Sequence, residues 1–391
     1  MACRLGTVLA AALVACWAIP SPARAGDDAS RARLTAQAER FEQRVAERGL
    51  AYDDPELTQY LGGLAEALAG PGQLRIIVLR RGDETEFVLQ NRVLYVDAGL
   101  LAKLDDESQL ALLVASELAH LELDHLAKAA TAERSAYVAL HAGSAADPGF
   151  FPVAELALRM MLGSFSRDMD RAADRAALQR LDRVGFATGT APRAFSLRTP
   201  SDPERESACR AWVTAKNGRN DVETLRRVTE KVAFESIRLN VQAERYHTAL
   251  DEIQRATSRY GESASLRTYE GQSQLGLAIL PKHVPREQLP RSMERRDRER
   301  EEAKLLARLR VHEPEQLAAA GAAFRRALEL EPGLGPAQRG LGEVLLHQKD
   351  LNGARAEFDR YLAANPAAPD RKLVAKLRAA TVTPEKVGAT P

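Results

Sequence analysis

Residues 106–130, DESQLALLVASELAHLELDHLAKAA, predict one helix with apolar side chains on nearly every side. A helix of this kind is buried inside a domain rather than lying on its surface. Polar side chains in such a helix need partners, because an unpaired polar group is costly to bury. Ser116, Glu117 and His120 are therefore candidates for a functional site.

Residues 116–120 read Ser-Glu-Leu-Ala-His, which has the form of a zinc-binding motif with one residue changed. In the pattern His-Glu-x-x-His, the two histidines lie on one helix face and bind the same zinc ion. The glutamate between them accepts a proton from the metal-bound water. Here Ser116 stands at the first histidine position. Taken alone, Glu117 and His120 also fit a buried histidine satisfied by a neighbouring carboxylate.

On both sides of this helix the sequence is mostly helical. Residues 28–70 and 154–185 have helical periodicity, and helical patterning resumes near residue 222 and continues to residue 380. Two segments are rich enough in β-branched and aromatic residues to form strands, residues 73–80 and 84–96, with a turn between them. The predicted fold class is mostly α, of α+β type with a small sheet.

The C-terminal part contains an internal repeat. Three residues recur after 34 positions: Ala320, Phe324 and Pro332 return as Ala354, Phe358 and Pro366. This period is typical of tetratricopeptide repeats, in which helix pairs stack into a superhelix. A weaker copy includes Tyr246, Ala249, Ile253, Ala256, Gly261 and Gly271. Residues 281–313 interrupt the period with alternating charges, which favour a solvated inserted helix over a binding arm.

The charge balance argues against a nucleic-acid binder. The chain of 391 residues has 55 Lys and Arg against 54 Asp and Glu, a formal net charge of +1. Neutralising phosphates requires an excess of basic residues on one surface. The sequence gives no reason to expect nucleic acid as a partner.

The N-terminus has the features of a secretory signal peptide. Arg4 precedes an apolar run over residues 5–19, and Ala23-Arg24-Ala25 offers a small-residue cleavage site. We expect cleavage after Ala25 and a periplasmic protein with no transmembrane segment in the mature chain. Alternatively, residues 13–16 form a lipobox, and Cys16 anchors a lipoprotein. With cleavage after Ala25, Cys209 is the single cysteine left, so no internal disulfide is expected.

Three further segments accompany the buried helix. Residues 94–101 form a strand and the segment after it, residues 166–174 read Ser-Arg-x-x-Asp-x-x-x-Asp, and residues 199–205 read Thr-Pro-x-x-x-x-Arg. Together with residues 116–125 they resemble the HtpX-like and CAAX-prenyl-protease-like zinc metallopeptidases of gluzincin type. The resemblance is especially to the periplasmic BepA-like branch, which carries C-terminal tetratricopeptide repeats. It spans residues 29–225 and continues into the repeats.

The resemblance implies a role for each matched residue. Glu117 matches the general base and His120 the second zinc ligand, whereas Ser116 replaces the first histidine ligand and Asp170 replaces the glutamate that is the third. The remaining matched positions support the ligands, and they are Asp174, Thr199, which replaces a histidine, and Arg205.

These departures predict that zinc, the family's cofactor, is bound weakly or not at all. A neutral serine hydroxyl is a poor ligand beside imidazole, and the shorter Asp170 carboxylate must still reach a ligand distance near 2.0–2.2 Å. Asp124, four residues after His120, would lie on the same helix face and is a less favoured replacement ligand with Asp170. His125 is expected to point elsewhere, as a capping or packing residue.

Two functions remain open at this stage. The first is a catalytically impaired member of the family that binds unfolded or assembling envelope proteins through its repeat array, in assembly or quality control. The second is an active zinc endopeptidase with Glu117 as general base. The predicted domains are a signal peptide (1–25), a zincin-like peptidase domain (26–220), a repeat array (221–380) with its insertion at 281–313, and a disordered tail (381–391).

Overall fold

The structure is a computed structural model that describes residues 22–129, 165–213, 217–279 and 313–382. Four predicted segments lie wholly or partly outside these ranges. They are most of the signal peptide, the part of the predicted helix 154–185 up to residue 164, the charged insertion before Glu313, and most of the tail. The N-terminal elements are α1 Pro22–Glu47, α2 Pro55–Ala69, β1 Arg75–Leu79, β2 Glu86–Val88, β3 Val93–Asp97, α3 Ala98–Lys103, α4 Glu107–Glu122, α5 Arg167–Val184, α6 Ala194–Leu197 and α7 Pro203–Trp212. The C-terminal helices are α8 Val222–Gln242, α9 Tyr246–Tyr260, α10 Ala264–Ile279, α11 Glu313–Leu330, α12 Gly335–His347, α13 Leu351–Ala364 and α14 Arg371–Ala380.

The predicted helix over residues 28–70 is two helices in the structure. Helix α1 ends at Glu47, and Gly49 has a positive φ of 60°. Helix α2 begins at Pro55, and the Asp54 carboxylate accepts hydrogen bonds from the backbone amides of the first turn. The predicted helical segment is divided because a left-handed glycine and an Asp-Pro cap end one helix and start another.

The small sheet has three strands in the order β1-β3-β2. Strand β1 pairs in parallel with β3, and β2 pairs antiparallel with β3. The predicted strand over residues 84–96 is therefore a hairpin. The chain reverses at Arg92, which has a φ of 60°, and the Leu89 amide donates to the Val93 carbonyl across 3.0 Å. This pairing places β2 at an edge of the sheet, beside α4.

Helix α4 is the centre of the N-terminal core. Its residues from Glu107 to His120 are all buried, as its sequence predicted. The helix is shorter than expected: it ends at Glu122, and Asp124 adopts a left-handed conformation with a φ of 62°. The chain turns there before a further helical segment starts at His125. The predicted continuation of one helix to residue 130 was therefore wrong.

Helix α8 joins the N-terminal core to the helical array. Leu225, Val228 and Val232 belong to the same hydrophobic cluster as the apolar residues of α2 and α4. The Asp221 amide, just before α8, donates to the Glu107 carboxylate across 3.0 Å. Ion pairs add to this packing, Lys231–Asp54 at 2.9 Å, Arg80–Glu235 at 2.9 Å and Arg245–Asp83 at 2.6 Å. The two parts of the chain are thus packed together through α8.

The repeat is visible in the packing of two phenylalanines. Phe324 on α11 and Phe358 on α13 are both fully buried. A Cβ atom on Gly271 would lie 2.7 Å from the Phe324 ring, and one on Gly342 would lie 2.6 Å from the Phe358 ring. Both rings therefore require a glycine on the partner helix. Because the two glycine–phenylalanine contacts are equivalent, α10 and α11 form one helix pair of the array, and α12 and α13 form the next.

Within the described ranges, no helix combines the length and the apolar character needed to cross a membrane.

Candidate active site

Packing of α4 against α5 and α7 brings most of the predicted site residues together. Ser116, Glu117 and His120 lie on α4, Asp170 and Asp174 lie in the first half of α5, and Arg205 lies near the start of α7. The N-terminus of α5 is fixed by Ser166, whose hydroxyl accepts a hydrogen bond from the Met169 amide. The N-terminus of α7 is fixed in the same way by Asp202, which accepts from the Arg205 amide.

Ser116, at the first ligand position, takes part in a closed hydrogen-bond network. Its hydroxyl donates to Asp174 Oδ1 over 2.8 Å and accepts from Arg205 Nη2 over 2.9 Å. Arg205 Nε in turn donates to Asp174 Oδ2 over 2.6 Å. The hydrogen-bonding groups of these three side chains are therefore paired with one another. The serine hydroxyl already donates one hydrogen bond and accepts another.

Arg205 is a buried cation at the centre of this site. Its side chain is 10% exposed, and its guanidinium carbon lies 4.2 Å from the centre of the Phe195 ring. Its Nη1 lies 3.6 Å from Asp170 Oδ1. Burial works against the charged form, but the bonds to Asp174 outweigh it and raise the pKa of Arg205. The guanidinium therefore stays charged and lies close to both altered ligand positions.

His120 is fully buried and its ring stacks on Phe165, with 3.8 Å between ring centres. Its Nδ1 lies 3.1 Å from Nδ1 of His125, and its Nε2 makes no hydrogen bond with the described residues. Asp170 Oδ1 lies 3.5 Å from that Nε2. Burial, followed by the charge of Arg205, lowers the pKa of His120 to about 2, so the ring is neutral.

His125 and Asp124 do not lie where the sequence placed them. The turn after α4 brings His125 back onto His120, so the prediction that it points elsewhere was wrong. Asp124 lies beyond the end of the helix, and its carboxylate accepts a hydrogen bond from Arg31 Nε over 3.0 Å. The helix face that Asp124 was predicted to share with His120 therefore does not exist. Both predictions assumed a longer helix and were wrong because α4 ends early.

Glu117 is held by the edge strand β2. The Val88 amide donates to its Oε2 over 3.1 Å. Burial, followed by repulsion from Glu86, raises the pKa of Glu117 to about 8. Glu86 is itself buried on β2 and lies 2.6 Å from Arg198 Nη1. Neither Glu86 nor Arg198 was predicted as a site residue, although an acidic residue two positions before Val88 in a half-buried strand is a usable signal.

Thr199 faces another part of the domain. Its hydroxyl donates to Glu84 Oε2 over 2.6 Å, and its amide donates to the Glu84 carbonyl over 2.8 Å. Glu84 also forms an ion pair with Lys103. Among the described residues, Thr199 makes no hydrogen bond to His120, Asp170 or Glu117, so it is not brought into the cluster around Arg205.

Comparison with known families decides which domain this is. Residues 52–216 match peptidase family M48, and residues 312–380 match the tetratricopeptide repeat. The chain carries an M48 peptidase domain followed by tetratricopeptide repeats. None of the curated proteins compared with the chain matches it. The expected family, and a mostly helical fold with a small sheet and a C-terminal repeat array, are thereby confirmed.

M48 peptidases generally depend on zinc, so the donor set of this M48 domain can be tested against the metal. Two groups converge, His120 Nε2 and Asp170 Oδ1. At the first ligand position Ser116 is bonded to a guanidinium, and the described residues contain no cluster of three His, Cys, Asp or Glu side chains with the geometry to hold a metal ion. Since zinc sites need three or four ligands near 2.0–2.3 Å, these residues do not fit a tightly bound catalytic zinc.

Proposed function

We propose that this protein is a catalytically impaired M48-domain protein that acts by binding envelope proteins through its repeat array. The hydrogen bond from Arg205 to Ser116 is the observation that supports this proposal most strongly. The Ser116 hydroxyl already donates to Asp174 and accepts from Arg205, so both of its hydrogen-bonding roles are taken up within the protein. A neutral hydroxyl held in this way is a poor replacement for an imidazole ligand.

The repeat array offers a binding surface that needs no metal. A cavity of about 510 Å³ lies along helices α8, α10 and α12, and its lining combines aromatic, amide and charged side chains, among them Tyr246, Tyr269, Gln272, Arg339 and Glu343. Tetratricopeptide repeats bind protein segments on the concave face that such helices form. Amide and aromatic side chains suit extended, unfolded segments, because they offer hydrogen bonds and apolar contact together.

The N-terminal leader motivates the cellular part of the proposal. A signal peptide cleaved after Ala25 delivers the protein to the periplasm, where unfolded or assembling envelope proteins are the available clients. If the lipobox at residues 13–16 is used instead, the protein is anchored through Cys16 and meets the same clients at a membrane surface. Both routes agree with a role in envelope protein assembly or quality control.

Capture of an unfolded protein by the full-length chain tests this function. Gln272 lines the groove on α10, whereas Gln274, two residues later, does not line it. We expect Gln272→Trp to fill the groove and weaken binding of a fluorescently labelled, reduced and unfolded protein, and Gln274→Trp to leave binding unchanged. A cooperative thermal unfolding transition in each variant would show that both are folded. Equal binding by wild type and Gln272→Trp would contradict the groove assignment, and cleavage of the probe that is lost in Glu117→Gln would instead support an active endopeptidase.

A further inference from the structure

A second cavity lies where the M48 domain meets the repeat array. It has a volume of about 500 Å³ and is bounded by the end of α3 and by helices α8 and α9. We call it the junction cavity. None of its lining residues belongs to the cluster around Arg205 or to the groove along α10.

Three arginines line the junction cavity. Arg226 lies on α8, and Arg255 and Arg259 lie one turn apart on α9, so the last two share a helix face. Arg226 and Arg255 are exposed and have no ion-pair partner among the described residues. Arg259 donates one hydrogen bond, from Nη1 to the Leu104 carbonyl over 2.6 Å, while its Nη2 is buried without an acceptor in the described part of the chain.

The acidic residues around the cavity do not balance these arginines. Asp105 lies 3.5 Å from Arg193, outside the cavity. Glu252 lies in its wall, buried, and accepts hydrogen bonds from Ser236 and from Asn240, each over 3.0 Å. Burial raises the pKa of Glu252 to about 7, so it carries only part of a negative charge at neutral pH. Glu223, which is exposed, is the remaining acid in the lining.

Lys103 is the one other basic residue in the described lining, and it is neutralised by its ion pair with Glu84. The three guanidinium groups therefore exceed the available negative charge. Guanidinium groups present several N–H donors in a plane that matches the oxygens of phosphate and carboxylate groups. A cavity of about 500 Å³ is in the range that accommodates small organic ligands.

We propose that the junction cavity binds a small ligand that carries a multiply charged phosphate oxyanion, of the diphosphate class. Several oxygens are needed to use guanidinium donors from two helices, and a single carboxylate has too few. Val222 and Tyr260, also in the lining, provide apolar surface for an organic part of the ligand. Such a ligand would contact the M48 domain and the array at once, and would stabilise the junction in proportion to its binding.

Titration calorimetry of the full-length protein with pyrophosphate tests the proposal. We expect saturable binding at one site per chain. The double substitution Arg226→Gln with Arg255→Gln should weaken it by roughly 10-fold or more, as expected when charged hydrogen bonds are lost. Glu223→Gln should tighten it, because the change removes the exposed acid. Arg259 is left in place because it also bonds Leu104.

Arg183→Gln is the matched control, since Arg183 is exposed on α5 and outside the cavity. It should leave the pyrophosphate affinity unchanged, and acetate should not compete. Equal affinity in the wild type and the double variant, or no saturable binding, would overturn the proposal. Binding to phosphatidylglycerol vesicles that the double variant loses would identify a lipid headgroup as the phosphate source. Pyrophosphate binding without vesicle binding would identify a free ligand.

Discussion

Arg205 donates a hydrogen bond from Nη2 to the hydroxyl of Ser116 over 2.9 Å, inside the M48 domain and directly beside His120 and Asp170. The same guanidinium is bonded to Asp174, so the polar groups there are satisfied by one another. The relationship explains how the domain retains a buried polar centre after two ligand positions have changed. An arginine that the matched motif already contains balances the charge of the buried Asp174 carboxylate.

Removing this arginine should destabilise the M48 domain strongly. Arg205→Ala leaves Asp174, whose side chain is 1% exposed, as a buried charge without an ion-pair partner. Breaking a buried ion pair in this way costs roughly 3–5 kcal/mol. The free energy of unfolding in urea measures the effect.

Arg167→Ala is the control for that substitution, because Arg167 pairs with Glu204 while both side chains are more than 70% exposed. Such surface pairs contribute roughly 0–1 kcal/mol. Similar small losses in both variants would show that Arg205 does not balance a buried charge.

The repeat array should be sensitive to the loss of one ring. Phe358 is fully buried on α13 against Gly342, so Phe358→Ala leaves a cavity and should cost roughly 3–5 kcal/mol. Leu373→Ala on α14 is the control, since Leu373 is half exposed and should cost less than 1 kcal/mol, about the scale of an ordinary surface change. Both values come from denaturant unfolding followed by circular dichroism. Equal losses would contradict the packing of Phe358 described above.

The M48 domain should need α8 to fold. A fragment that ends at residue 220 loses Leu225, Val228 and Val232 from its core, at roughly 1.5–3 kcal/mol for each buried side chain. We therefore expect residues 26–243 to unfold cooperatively, and residues 26–220 to be unfolded or much less stable. Heat unfolding of the two fragments compares them. If the shorter fragment is as stable as the longer one, the predicted boundary at residue 220 is adequate.

Stability at the junction should depend on pH through Glu252. Burial raises its pKa from 4.5 to about 7, so the folded state favours the protonated carboxyl. Its contribution is complete below about pH 4.5 and is lost as the pH rises through about 7. Between about pH 5 and about pH 8, the free energy of unfolding should fall more in the wild type than in Glu252→Gln, which cannot ionise. A parallel fall in both proteins would assign the pH dependence to other groups.

The sequence predicted the elements whose pattern is strong and local. The continuous apolar character of residues 107–120 predicted the buried helix α4, and the recurrence of Phe324 as Phe358 predicted the array. Both predictions depend on side-chain periodicity, which one sequence displays directly.

The sequence did not predict features that depend on backbone conformation at single residues. A left-handed residue at Asp124 ends α4 and turns His125 onto His120, and another at Arg92 converts one predicted strand into a hairpin. Non-glycine residues adopt this conformation only when the surrounding packing compensates for its cost, so their own chemistry gives little warning.

The contacts of the candidate site divide in the same way. Asp174 and Arg205 belong to the matched motifs and were expected to support the ligand positions, and they pair with each other there. Glu86, which raises the pKa of Glu117, lies on an edge strand outside those motifs. Contacts between distant segments, such as that between Glu86 and Arg198, follow from the tertiary fold and not from spacing along the chain.

Zinc content per chain is the most direct measurement of the central claim, that Ser116, bonded to Asp174 and Arg205, no longer serves as a metal ligand. In purified full-length protein, inductively coupled plasma mass spectrometry should find far less than one zinc per chain. The double change Ser116→His with Asp170→Glu should raise the content toward one, because it supplies two imidazoles four residues apart and a longer carboxylate. One zinc per wild-type chain, together with cleavage of an unfolded protein that Glu117→Gln abolishes, would contradict the account and establish an active M48 peptidase.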